Sequence, residues 1–183
     1  MPSFIALLRA VNVGGTNKIP MAALRSVCEG LGWANVRTYI QSGNVVFDAD
    51  GSSSELEVTL ERALQEAFGA SVPVLVRSAR DWAGIVRDHA FPDASEREPN
   101  RVMLALSKSA PADAAVEGLR ARATEGERVE RAGDALWIHY PSGSGRSKLS
   151  PGVLDRLVGS PVTTRNLRTV LKLLEMANEP SGA

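Results

Sequence analysis

Four stretches of the chain carry more charged and hydrogen-bonding groups than a connector needs. The first is Arg9-Ala10-Val11-Asn12-Val13-Gly14-Gly15-Thr16-Asn17-Lys18. Adjacent glycines let backbone N–H groups turn toward an anion, and the helix opened by Pro20 would add its positive end. Arg9, Asn12, Gly14, Gly15 and Lys18 are its candidate ligand contacts; the plainer reading of Gly14-Gly15 is a turn. The second is Tyr39-Ile40-Gln41-Ser42-Gly43-Asn44. Gln41, Ser42 and Asn44 can each donate and accept. Turn chemistry accounts for Ser42, Gly43 and Asn44 but not for Gln41. The third, His139-Tyr140-Pro141-Ser142-Gly143-Ser144-Gly145-Arg146-Ser147-Lys148, lies between a strand and a helix and offers Lys148 to an anion. The fourth, Pro161-Val162-Thr163-Thr164-Arg165-Asn166, reads as the opening of the last helix. There Thr163 or Thr164 serves as the cap, and Arg165 and Asn166 sit where an anion would be welcome.

Several chemistries lack their spacing. The third stretch is no Walker A loop, because Arg146-Ser147 precede Lys148 and the Gly-Lys-Ser/Thr run is missing. Neither a nucleophile elbow, a His-Glu-x-x-His helix nor a Gly-x-Gly-x-x-Gly turn occurs. The two histidines, His89 and His139, and the single cysteine, Cys28, show no metal spacing, so neither a metal nor a cofactor is expected. His139 alternates with Ile138 and Tyr140, so it should face away from both, outward or toward a sheet edge, as a structural residue. Cys28 reads as a small buried hydrophobe on a helix.

The elements that must position these groups follow from periodicity. Residues 4–11 form a continuous apolar run ended by Asn12-Val13-Gly14-Gly15, which reads as a central strand. Met21, Leu24, Val27, Cys28 and Leu31 keep helical spacing. Residues 36–41 and 44–48 read as a hairpin turned at Ser42-Gly43. Ser52–Ser54 cap a helix with Leu56, Leu60, Leu64 and Phe68 inward, ended by Gly69, and residues 72–76 give a further strand. The order β-α-β-β-α-β is the split βαβ arrangement. The second half reads as a helix over 78–89, a polar loop over 90–99, then β-α-β-β-α with the last helix running from Arg165. The expected fold is therefore α+β: two tandem ferredoxin-like lobes, 1–78 and 79–183, with mainly antiparallel sheets and helices on one face. Only Pro180-Ser181-Gly182-Ala183 reads as disordered.

Composition narrows the partners. Lys+Arg and Asp+Glu are both 21, and this balance argues against a general nucleic-acid coat. No apolar run approaches a membrane span, and the short apolar start reads as a strand rather than a signal peptide. No membrane partner is expected, and the expected location is the cytoplasm.

The residues also resemble a family. Leu8-Arg9-Ala10-Val11-Asn12-Val13-Gly14-Gly15 and Tyr39-Ile40-Gln41-Ser42-Gly43-Asn44-Val45, with Ser147-Lys148-Leu149, Thr164-Arg165-Asn166, Thr169-Val170 and Leu173, resemble the domain-of-unknown-function family 1697 over nearly the whole chain. The resemblance implies a bacterial-type α+β protein with ferredoxin-like lobes and no known activity. Leu167 departs from the aromatic residue of many relatives. On the residues, the leading expectation is a site for a phosphate- or carboxylate-bearing small molecule, formed by convergence of the polar loops between the lobes. RNA or single-stranded nucleic-acid binding, with Tyr39, Phe47 and Tyr140 as stacking groups, is the alternative. A protein-interaction module, such as a homodimer through a sheet edge, is the third.

Overall fold

A computed structural model describes residues 1–179, so the tail expected to be disordered lies outside the described residues. The chain forms two compact units, Met1–Ala83 with the segment from Leu173, and Gly84–Lys172. Each contains a four-stranded antiparallel sheet, and we call them the first and second lobes.

In the first lobe the chain runs β1 (Ser3–Leu8), α1 (Met21–Gly30), β2 (Ala34–Tyr39), β3 (Asn44–Asp48), α2 (Ser53–Phe68) and β4 (Val74–Ser78), and enters α3 (Ala79–Arg87). The sheet order is β2-β3-β1-β4. The apolar runs of β1 and β3 are explained by that order, since both strands are central and almost wholly buried. Alternate residues Phe4, Ala6, Leu8, Val45, Phe47, Val74 and Val76 meet Leu24 and Cys28 of α1 and Leu56, Leu60 and Leu64 of α2. Trp33 stacks on Phe47 with ring centroids 3.9 Å apart. Ser52 and Glu55 close a reciprocal capping box at the start of α2, and Gly69 ends it at φ 65°. The β2–β3 turn occupies residues 40–43, two residues more than the expected Ser42-Gly43 turn, so Gln41 belongs to the turn and not to the strand.

In the second lobe the order is α4 (Pro92–Arg97), β5 (Val102–Ser107), α5 (Asp113–Arg120), β6 (Arg128–Ala132), β7 (Ala135–His139), α6 (Pro151–Val158) and β8 (Val162–Asn166), followed by the start of α7 (Leu167–Asn178). Its sheet order, β6-β7-β5-β8, matches that of the first lobe. Three expectations are corrected. Residues 162–166 are an edge strand rather than the opening of the last helix; β8 pairs with β5 from Met103–Asn166 to Ser107–Val162, completing βαββαβ. The helix cap is Asn166, whose Oδ1 accepts the Thr169 N–H at 3.0 Å, rather than Thr163 or Thr164. The polar stretch 90–99 contains α4, which begins where Pro92 fixes φ for a first turn.

Side chains occupy some of the outward backbone groups of the outer strands. Glu57 and Glu61 of α2 accept the Val76 and Val74 N–H groups of β4, each at 2.9 Å. Asp155 of α6 accepts the Val162 N–H of β8 at 2.8 Å, and Arg120 donates to the Val129 carbonyl of β6 at 2.9 Å. The remaining edge, β2, is interrupted by a register shift between Ala34 and Arg37. A bulge and side chains bonded to an edge both make it a poorer template for another strand.

Candidate functional site

The first two polar stretches meet at one end of the first lobe. The Leu8 N–H donates to the Gly43 carbonyl at 2.8 Å. Asn12 ties the two loops together: its Nδ2 donates to the Ile19 carbonyl at 2.9 Å and the Gln41 carbonyl at 2.8 Å, while its Oδ1 accepts the Ile19 N–H at 2.9 Å. Asn44, fully buried, donates to the Tyr39 carbonyl at 2.8 Å and to Ser42 Oγ at 3.0 Å. Both asparagines thus satisfy backbone and turn groups. Gly14 and Gly15, at φ 58° and 80°, form the turn between the bridged residues Val13 and Thr16, as a two-residue hairpin with both central φ positive requires. Lys18 and Gln41 are exposed and Arg9 is half-buried.

These two loops also concentrate unusual backbone. Ala10, Asn12, Gly14, Gly15, Asn17, Ile40 and Gly43 all have positive φ. At Gly43 the glycine is obligatory, because an added Cβ would lie 2.7 Å from Val11 Cγ2 and 2.8 Å from Leu8 Cβ. Ile40, β-branched and exposed, sits at φ 49°, a conformation costing an L residue about 1–2 kcal/mol.

In the second lobe, the loop after β7 covers a cleft of about 320 Å³. Its floor is apolar, from Met103, Leu149, Pro151 and Leu154, and its rim carries Ser144, Ser147, Ser150 and Thr164. The loop is fixed from below. The Tyr140 hydroxyl donates to the Leu149 carbonyl at 3.1 Å, and Ser147 Oγ donates to Glu127 Oε1 while accepting the Leu149 N–H at 3.0 Å. Burial pushes the Glu127 carboxyl up, but the Ser147 hydroxyl, backbone N–H groups and the Lys148 charge outweigh it and hold it below the usual carboxylate range. Burial, with the Glu127 charge, raises the Tyr140 phenol to about 12. Ser150 occupies the N-cap of α6 without a side-chain capping bond.

Thr164 of β8 faces this cleft, and Arg165 points to the opposite face of the sheet. Arg165 is buried, donates to the Thr164 carbonyl at 2.9 Å, and is pulled down to about 10 by that burial. Lys148 is exposed on the loop and Asn166 caps α7. Each lobe therefore gathers its own pair of polar segments, and in the second lobe the sheet separates Lys148 from the Arg165 guanidinium.

A further cluster had no signal in the sequence. His139 turns away from Ile138 and Tyr140 as alternation requires, but it is buried and carries a carboxylate partner: Nε2 lies 2.7 Å from Glu98 Oε1. Arg128 Nε and NH2 reach Nδ1 at 3.3 and 3.2 Å, and Arg128 also pairs with Asp93 at 3.1 Å. The hydrogen bond from His139 holds the Glu98 carboxyl below its ordinary range.

Other expected participants are buried. Phe47 and Tyr140, two of the three possible base-stacking rings, lie in the cores, leaving only Tyr39 partly exposed. Cys28 is buried in the first core, and burial, with the Glu29 charge, pushes its thiol up to about 12, far from a thiolate at neutral pH. Among the described residues, no group of three or more His, Cys, Asp or Glu side chains is placed to hold a metal, and no helix is long and apolar enough to cross a membrane.

Two βαββαβ units with polar loops define an α+β protein on a repeated ferredoxin-like plan. The chain belongs to the DUF1697 family, described as protein of unknown function, whose model matches residues 1–137. The fold is similar to that of the conserved bacterial protein SP0830 from Streptococcus pneumoniae, at 21% identity over 97% of this chain and 99% of that one, with a TM-score of 0.72. No curated protein matches the chain.

Proposed function

We propose that the protein binds a small molecule bearing a carboxylate or phosphate, and that the second-lobe cleft receives it. The observation carrying this reading is the cleft of about 320 Å³ beneath a Gly/Ser-rich loop, apolar below and hydroxyl-bearing at its rim. A mostly apolar concavity with a few convergent polar groups is the usual form of a small-molecule site. Ser144, Ser150 and Thr164 supply hydroxyls, while Met103, Leu149 and Leu154 receive the ligand's body. The first N–H groups of α6 open beside Ser150, which leaves them to an anionic acceptor. Arg146 and Lys148, exposed on the same loop, attract the anion at long range. Ser147 is held by Glu127 and the Tyr140 hydroxyl by a carbonyl, so binding and hydrogen-bond stabilisation, without a covalent nucleophile, suit this arrangement.

The test is thermal unfolding with inorganic phosphate, glucose 6-phosphate, acetate and benzoate. At 100 times its dissociation constant a ligand adds about 2.7 kcal/mol, roughly 5–10 °C for a chain of this length. Ser150→Asp should keep or raise the ligand-free midpoint, because Asp caps well, and should abolish the ligand shift by filling the anion's place. A shift that survives Ser150→Asp, or no shift with any of the four, overturns the reading.

A further inference from the structure

The His139 cluster defines its own protonation state. A guanidinium has donors only, so the contacts of 3.3 and 3.2 Å from Arg128 require a lone pair on Nδ1. A carboxylate only accepts, so the 2.7 Å contact to Glu98 places the ring proton on Nε2. The arrangement fits the neutral Nε2–H imidazole and no other form. A second proton would have to bind at Nδ1, where it meets the Arg128 N–H groups and a like charge.

The groups in this contact come from three elements. Arg128 projects from β6. Asp93 and Glu98 come from α4 and its end; Arg97 pairs with Asp93 at 3.3 Å and Arg101 with Glu98 at 3.3 Å. β5 places only Val102 opposite His139. Within this set Arg97, Arg101 and Arg128 are guanidinium groups with donors only. Asp93 and Glu98 are held below the usual carboxylate range by their bonds to Arg128 and His139. The imidazole, whose Nδ1 lone pair accepts from Arg128, is therefore the group of this set at which an added proton would break a bond.

The bonds at stake hold down the start of α4. The Arg128 guanidinium lies 4.6 Å from the centre of the Phe91 ring and pairs with Asp93, and the Phe91 ring lies 6.2 Å from that of His139. Phe91 is the N-cap of α4 at φ 63°, a conformation that side chains rarely adopt and that its surroundings must impose. We propose that His139 is a proton-operated latch: neutral, it holds Arg128 and with it the Phe91–Asp93 start of α4 against the sheet; protonated at Nδ1, it expels Arg128 and releases that segment while Glu98 keeps its hold on Nε2. The sign follows from the bonds. The docked form requires the unprotonated ring, so docking is complete at high pH and is lost as the pH falls.

The experiment is nuclear magnetic resonance of the full chain from pH 8 to pH 5, with ring nitrogens labelled and His89, the only other histidine, removed as His89→Gln for assignment. At pH 8 the His139 ring should be the Nε2–H tautomer. As it titrates, the Arg128 Nε–H signal should be lost and the Phe91 and Asp93 amides should shift with the same midpoint. His139→Gln supplies an acceptor and a donor and cannot take up the proton, so it should keep the docked spectrum with no such transition. An Nδ1–H tautomer at pH 8, a ring that stays neutral to pH 5, α4 signals that ignore the titration, or a His139→Gln chain with the same transition each overturns the latch.

Discussion

The two lobes share a scaffold and differ in where they spend irregular backbone. In both, the fourth residue of the last strand is an arginine, Arg77 or Arg165, whose guanidinium donates to the preceding carbonyl, Val76 or Thr164. In both, an acidic residue of the preceding helix accepts the first N–H of that strand, Glu61 from Val74 and Asp155 from Val162. The strand then ends in the cap of the next helix, Ser78 for α3 and Asn166 for α7. The loops diverge. The first lobe elaborates β1–α1 and the β2–β3 turn, clamped by Asn12. The second turns β6–β7 simply at Gly133-Asp134 and elaborates the loop between β7 and α6. An invariant frame with variable connections is the usual relation of scaffold to site.

The hairpin turns allow the sharpest test of that difference. Gly43→Ala forces a Cβ into Val11 and Leu8 at positive φ. Overpacking and strain together should cost about 2–5 kcal/mol, roughly 5–15 °C in melting temperature. Gly133→Ala meets nothing within 4 Å and keeps only the strain of φ 61°, about 1–2 kcal/mol. Equal losses in calorimetry would mean that the first turn is not wedged. The clamp comes next. Asn12→Ala leaves the Ile19 N–H and two carbonyls without their side-chain partner, and should cost about 2–3 kcal/mol. Lys148→Ala, at an exposed position, should stay within about 0.5 kcal/mol in denaturant titration. If Lys148→Ala costs as much as Asn12→Ala, the division between clamp and surface residues fails. The edge caps should match each other: Glu61→Ala and Asp155→Ala are each expected to cost about 1 kcal/mol.

What the sequence could show follows the same division. The first lobe was legible because its central strands are unbroken apolar runs and Pro20, Ser52 and Gly69 punctuate its helices. β8 was not, because Val162-Thr163-Thr164-Arg165-Asn166 runs into α7 without a breaker, and Asn166 serves as both last strand residue and cap. α4 hid between Pro92 and Pro99, which read as loop. Asn12 and Asn44 stood out as polar residues in glycine-rich turns, but the same side chain serves a ligand or a backbone carbonyl, and only three-dimensional distances distinguish the two. Glu98 lies 41 residues from His139 in sequence, so no local spacing could pair them.

Acid should separate the lobes last and most gently. In the second lobe Asp93 lies below its ordinary range through its bond from Arg128, Glu98 through His139, and Glu127 where bonds from Ser147 and the backbone outweigh burial. In the first lobe Glu55 does so through Ser52. A carboxyl lowered in the folded state contributes stability that is present above its unfolded value, about 4, and is lost as the pH falls toward its folded value. Asp93, Glu98 and Glu55 are exposed to solvent screening, so each contributes little, and the expected asymmetry rests on the buried Glu127. Amide spectra stepped from pH 7 to pH 3 should therefore lose dispersion in β6, β7 and the loop after β7 before β1 and β3. Ser147→Ala, which removes the hydroxyl from Glu127, should narrow the gap between the lobes by making the second less stable at pH 7 with a smaller further loss on acidification. If β1 and β3 melt first in the unmodified chain, the lowered carboxyls do not set the order, and the difference between the lobes lies in their loops alone.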